Sequence, residues 1–301
     1  MWDRLRIAAF IDVVSFHITS EHALLGVGLP LFLILTFGLG VRRPSPQPAG
    51  EFLRLRFRRL VVPWLAWSAL FGTIRAEASL RHHAPLSKAL HLDMLLYGTE
   101  QYLWFLPFAA IGGFATYLLD RTTQRVPTAW LVAGCLAVAT TLLGVLDNFH
   151  CQFPFGWWLF GAPAIPIGLA AGRMLARPTA KTGWLWLGVL TASLVATAFL
   201  LSCWKSATPL SLVAPLRYAM AVALLGAGAL LPDFTDRWTS RLQPLLLGGY
   251  LLHSAVYFRL VNRVAQAGHV RLTPIVAVVG TVCLTLALVA VLRRTRVRSI
   301  L

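Results

Sequence analysis

Residues 274–292 read PIVAVVGTVCLTLALVAVL, nineteen residues without a charge. At 1.5 Å per residue such a helix reaches about 28 Å, close to the roughly 30 Å hydrocarbon core of a bilayer. Four further uncharged runs have spanning length: 23–41, 102–119, 128–146 and 183–203. Backbone in lipid must satisfy its own hydrogen bonds, so runs of this length are read as helices. Five more segments are shorter or carry polar groups: 7–18, 60–74, 157–172, 212–231 and 244–258. Polar groups in a span are costly unless they face the bundle interior or a watery cavity, so a functional site should draw mainly on this second set. The expectation is an all-α, polytopic integral membrane protein with about ten transmembrane helices. It forms one membrane domain over residues 1–301.

Composition agrees. Of 301 residues 57% are hydrophobic and only 13% charged, and the mean hydropathy is +0.70. A soluble domain carries about 25% charged residues. The net charge of +16 sits in short segments between apolar runs, an arrangement that follows the positive-inside rule rather than a nucleic-acid face. No nucleic-acid partner is expected. Ten spans place nineteen of the 27 Lys and Arg residues on the side that holds both termini. Both termini are therefore expected to be cytoplasmic, in a multi-pass protein of the cell inner (plasma) membrane. Residues 1–18 faintly resemble a signal peptide, but Asp12 and His17 interrupt the apolar core and no A-x-A site follows, so the stretch reads as a retained span.

Several features read as structural. Cys135, Cys203 and Cys283 lie in or at the end of apolar runs, where a buried thiol is the default. A Cys151–Cys203 disulfide is open only if both face the periplasm. His82, His83 and His91 lack a companion carboxylate or cysteine spacing, so they read as surface residues and no metal site is expected. They fall in the segment 75–101, where the spacing of Leu86, Leu90 and Met94 suggests an interfacial helix. RRPSPQPAG, 42–50, reads as a short linker.

The chemistry-bearing residues begin in the first span. Arg6 and His17 are eleven residues apart, which at 100° per residue leaves them about 20° from whole turns and on one face. The rise between them is about 16 Å. Phe10 and Val13 fill the stripe between. Asp12 lies about 140° around from His17 and calls for a buried donor, Arg217 or another. Glu21, four residues after His17, would orient the imidazole if the helix continues, and is a solvated loop end if it does not. In EFLRLRFRRLVVPW, 51–64, four arginines precede a span expected to start near Leu60, with Pro63 in its first turn. Guanidinium groups beside a helix N-terminus suit either phosphate or anionic lipid headgroups. Together these groups suggest a cytosolic phosphate-bearing donor whose reactive end reaches a histidine deep in the membrane.

In order along the chain, RIAAFIDVVSFH (6–17), GVGLPLFLILTFGLG (26–40), FLRLRFRRLVVPW (52–64), LWFLPF (103–108) and GYLLHSAVY (249–257) resemble the motifs of the acyltransferase-3 family of membrane O-acyltransferases. They carry an R-x10-H first span, an R-x-x-R element at Arg56 and Arg59, a Leu-Trp-Phe-Leu segment and a late Tyr-x-x-His element at Tyr250 and His253. Where the family has a Ser-Gly-Phe-like end of span two, this chain has Thr36-Phe37-Gly38. The chain also lacks the soluble esterase-like domain of some members, so it would act alone or with a separate extracytoplasmic partner protein.

The resemblance implies transfer of an acyl group, commonly acetyl from acetyl-CoA as co-substrate, to a hydroxyl of an extracytoplasmic glycan or lipid-linked sugar. It implies that Arg6, Arg56, Arg59 and the adjacent Arg58 hold the acyl-CoA. His17 would be catalytic as general base or acyl carrier, with Glu21, from its spacing alone, orienting it; Trp104, Tyr250 and His253 would line the pocket. Either role of His17 needs a neutral imidazole. A transporter or flippase for a lipid-linked sugar is the rival reading, because polar residues and prolines such as Pro163 and Pro166 in spans occur there too. The chain shows no repeat symmetry to support it.

Overall fold

A computed structural model describes residues 2–19, 26–42, 48–148, 155–176, 184, 188–196, 199, 209–230, 237–269 and 272–295. No strand occurs among them. The chain divides into two compact units, one of Met1–Leu35 and Lys181–Ser299, the other of Thr36–Ala180.

The first unit opens with α1, Trp2–Ile18, and the start of α2, Gly28–Arg42. It continues with α11 (188–196), α12 (Pro209–Leu230), α13 (Arg237–Leu242), α14 (Leu246–Val256), α15 (Asn262–Ala267) and α16 (Pro274–Leu292). Its core joins Phe10 and Val14 of α1 to Leu246 of α14, with Ile7, Ile18, Val282 and Leu286 packed around them. Gly249 makes this possible, since a Cβ there would lie 2.9 Å from the Phe10 ring. The last span, α16, starts and ends where its charge-free run does, with Thr273 as N-cap. It buries only Ala277, Thr281, Thr285 and Val289. Beyond these and the half-buried Val282 and Leu286, its side chains, Cys283 included, are largely outward. Cys283 is therefore exposed, contrary to the default for a thiol in an apolar run, because a helix that meets lipid hides few of its residues. Cys135 is buried as expected, and Cys151 and Cys203 lie outside the described residues.

The second unit holds the rest of α2, then α3 (Ala49–Arg56), a π-helical turn (Phe57–Val61) and α4 (Val62–Arg81). After α5 (Leu86–Ala89) and α6 (Met94–Tyr97), the 3-10 turn Gln101–Trp104 leads into α7, Phe105–Thr122. α8 is Thr128–Asn148, α9 Phe155–Gly161 and α10 Ala164–Ala176. α2 and α10 cross backbone to backbone: a Cβ on Gly172 would lie 2.5 Å from the carbonyl oxygen of Gly38, the close approach that small residues permit. Arg173 of α10 bonds Asp120 at the end of α7 through both side chain and carbonyl.

Two sequence expectations change here. α4 does begin close to Leu60, at Val62 with Pro63 in its first turn, but it is not a free start: helical backbone runs into it from Ala49, and the arginines lie inside that run. Pro63 has no N–H to give to the preceding turn. The chain accommodates it by widening into the π turn, in which the N–H of Val62 bonds the carbonyl of Phe57. The arginines thus have no free helix N-terminus beside them. Nor is there one interfacial helix at 86–94: Leu90 is extended, and two four-residue turns flank it. Consecutive short turns reproduce the four-residue spacing that a single helix would show.

Among the described residues, four helices are long and apolar enough to cross a membrane: Gln101–Thr122, Phe155–Met174, Arg237–Ala267 and Pro274–Leu292. Gly28–Val41, Thr128–Gly144 and Ala214–Gly228 are shorter apolar helices.

Candidate active site

α1 is unbroken from Trp2 to Ile18, so Arg6 and His17 ride one rod, and Phe10 and Val13 between them are buried. His17 is half-buried. Its Nδ1 lies 2.8 Å from the carbonyl oxygen of Val13. A carbonyl only accepts, so Nδ1 carries the proton and donates, and Nε2 keeps a lone pair. The His253 ring meets it edge to face, with centroids 4.9 Å apart.

His253, on α14, is 1% exposed. It repeats the arrangement: Nδ1 donates to the Tyr250 carbonyl at 2.7 Å. Its Nε2 therefore accepts, and Ser254 donates its hydroxyl there at 3.1 Å. Tyr250 is buried, with Phe32 of α2 stacked on its ring at 6.5 Å and 16°. Three of the sequence-predicted residues, His17, Tyr250 and His253, are thus brought together by α1 and α14, two of the short polar segments. Ser254 and Phe32 were missed. Ser254 lies inside the quoted GYLLHSAVY stretch, but a serine beside a histidine carries no distinctive spacing. Glu21 lies outside the described residues.

Asp12 does not close an ion pair with Arg217 of α12. Its Oδ2 accepts the Gly28 N–H at 2.6 Å. Arg217 acts on it through charge, with its guanidinium 5.4 Å over the Phe16 ring. The helix start at Gly28 offers free N–H groups, and α1 runs so close that a Cβ on Gly28 would overlap the Ala9 carbonyl and the Asp12 side chain.

In the second unit the arginines divide. Arg54, Arg58 and Arg59 are exposed, and Arg56 is half-buried. Arg56 lies 5.1 Å over the Phe52 ring and fits against Gly113 of α7, where a Cβ would be 2.8 Å from its Cζ. Phe52 stacks on Tyr117 at 4.4 Å and 22°, and Arg121 covers Tyr117 at 5.0 Å. The result is an alternation of cation, ring, ring and cation between α3 and α7. Sequence reading found Arg56, Arg58 and Arg59 but missed Phe52, Tyr117 and Arg121, whose partnership spans two helices distant in sequence. Trp104 is buried against Phe108 at 5.5 Å and Trp157 at 5.9 Å. Among the described residues no group of three His, Cys, Asp or Glu side chains is placed to hold a metal ion.

Chemically, the first unit offers an imidazole lone pair held in one tautomer, and the second offers guanidinium groups ordered by aromatic rings. A family model described as an acyltransferase domain matches residues 2–294. No curated protein and no solved structure matches the chain.

Proposed function

The chain belongs to the acyltransferase-3 family, and from that membership we propose that it is a membrane O-acyltransferase. It moves an acyl group, acetyl by preference, from cytosolic acyl-CoA to a hydroxyl of an extracytoplasmic glycan or lipid-linked sugar. It works in the cell inner membrane through ten spans, with both termini cytoplasmic, and it acts alone or with a separate extracytoplasmic protein.

The observation that supports this reading best is the tautomer of His17. With Nδ1 committed to Val13, Nε2 is the atom that takes a proton. As general base it removes the acceptor hydroxyl proton while that oxygen attacks the thioester carbonyl. The carbon–sulfur bond then breaks, and the imidazolium returns the proton to the departing thiolate of CoA. The same lone pair would let His17 carry the acyl group briefly, which a trapped acyl-protein would reveal. His253 buttresses the His17 ring edge to face, and Tyr250 lines the pocket on that side. Arg6, Arg56, Arg58 and Arg59 bind the phosphates of the donor, which guanidinium grips in bidentate fashion. Glu21 is proposed to orient His17.

The test is acyl-CoA-dependent modification by purified protein in sealed vesicles, read by mass spectrometry of the acceptor. Modified acceptor and released CoA in equal amounts are expected. An acceptor that crosses the membrane unmodified would instead identify a transporter.

A further inference from the structure

A charged group lies one aromatic ring away from His17, and the reaction above leaves it unused. Arg217 is the ninth residue of the 22-residue α12, about 12 Å along the helix from its start. It is half-buried. Its guanidinium rests on the Phe16 ring at 5.4 Å, and the same ring meets His17 edge-on at 5.7 Å. Gly26 closes the other side. It is in the left-handed region at φ +50°, and a Cβ there would stand 2.5 Å from Arg217 Nε. A side chain at 26 would fill the space that the guanidinium occupies.

Arginine keeps its charge in proteins and offers five N–H donors. Among the described residues, none of those donors bonds a protein acceptor. Asp12, the natural candidate, spends Oδ2 on the Gly28 N–H and reaches Arg217 by charge alone. A bare cation within a span is costly; Asp12 offsets that cost without occupying the donors. The arrangement differs from a structural ion pair, in which the two groups would be in contact. It also differs from a snorkelling arginine, since the Phe16 ring and Gly26 hold the head group, with His17 on the edge of that same ring.

We infer that Arg217 binds an oxyanion of the acyl acceptor, a phosphate or a carboxylate, and so positions the acceptor hydroxyl for His17. The inference rests on the acyltransferase reading and narrows it: the acceptor is anionic. A phosphate would come from a lipid-linked sugar, a carboxylate from an acidic sugar.

The protein in nanodiscs, without acyl donor, is titrated with farnesyl phosphate against farnesol and with glucuronate against glucose. At least one anion should bind more tightly than its neutral counterpart, and Arg217→Gln should weaken that anion about tenfold or more while leaving the neutral probe unchanged. Arg217→Lys should recover part of the affinity. Asp12→Asn keeps an oxygen for the Gly28 N–H but removes the competing charge, so it should tighten the anion severalfold. The anion that binds names the source. Equal binding of charged and neutral probes by the wild type overturns the inference, as does unchanged anion affinity in Arg217→Gln. Should that variant fail to fold, unchanged affinity in both Arg217→Lys and Asp12→Asn overturns it. Because no donor is present, anion binding that persists in a protein inert toward acyl-CoA would sink the acyltransferase reading alone.

Discussion

The histidine pair and the arginine stack handle polarity in opposite ways. His17 and His253 are placed by backbone: each Nδ1 is fixed by a carbonyl three or four residues earlier on its own helix. Little rotational freedom remains, and one nitrogen of each ring is left to accept. Arg56 and Arg121 are placed by rings instead, each guanidinium lying over an aromatic face, while Arg58 and Arg59 project outward from the π turn. The first arrangement suits an atom that must take a proton in one direction. The second suits charges that must hold a flexible, multiply charged ligand. Changes in the first region should therefore act on turnover, and changes in the second on donor affinity.

The largest effect expected is at His17. His17→Ala should lower acceptor acylation by at least about a hundredfold in a protein that still inserts and still binds acyl-CoA; full activity would remove His17 from the chemistry. His253→Asn should come next, with a loss of about tenfold in kcat and an unchanged KM for the donor. A change confined to KM would move His253 out of the histidine region's role. Arg56→Ala and Arg59→Ala should each weaken acyl-CoA binding about tenfold with little change in kcat, measured by titration and initial rates. If both titrate as wild type, the arginine stack does not serve the donor. Smallest is Tyr117→Leu, which removes the ring beneath Arg121 and beside Phe52 and should weaken the donor by a few-fold. A loss as large as that of Arg56→Ala would mean that the rings, more than the charges, order the site.

Much of the fold was legible because the bilayer imposes one rule on every span. α16 coincides with its charge-free run, and the Ala162–Pro163 break between α9 and α10 falls inside the proline-bearing segment. Reading failed where polarity and helicity part company. The segment 51–59 reads by hydropathy as lying ahead of a span, yet it belongs to helical backbone that begins at Ala49. Of the site, the helical period placed Arg6 and His17 on one stripe, whereas the meeting of His17 with His253 joins positions 236 residues apart. Only tertiary packing decides such a contact. Which donor Asp12 takes was open for a related reason: the N–H that it accepts belongs to a nearby helix start, which no side-chain inventory counts.

The π turn at Phe57–Val61 has a counterpart at Tyr257–Val261 in the other unit, and both carry arginine. Each can be viewed as one residue more than an α-helix needs over that stretch. Loss of a single codon there would give a regular helix of ordinary composition and would turn everything upstream by about 100° relative to everything downstream. Arg56 would then leave its place against Gly113 without any side chain having been altered. At this position the length of the chain is as much a determinant of the site as the identity of its residues, and an alignment that closes the gap would conceal the difference.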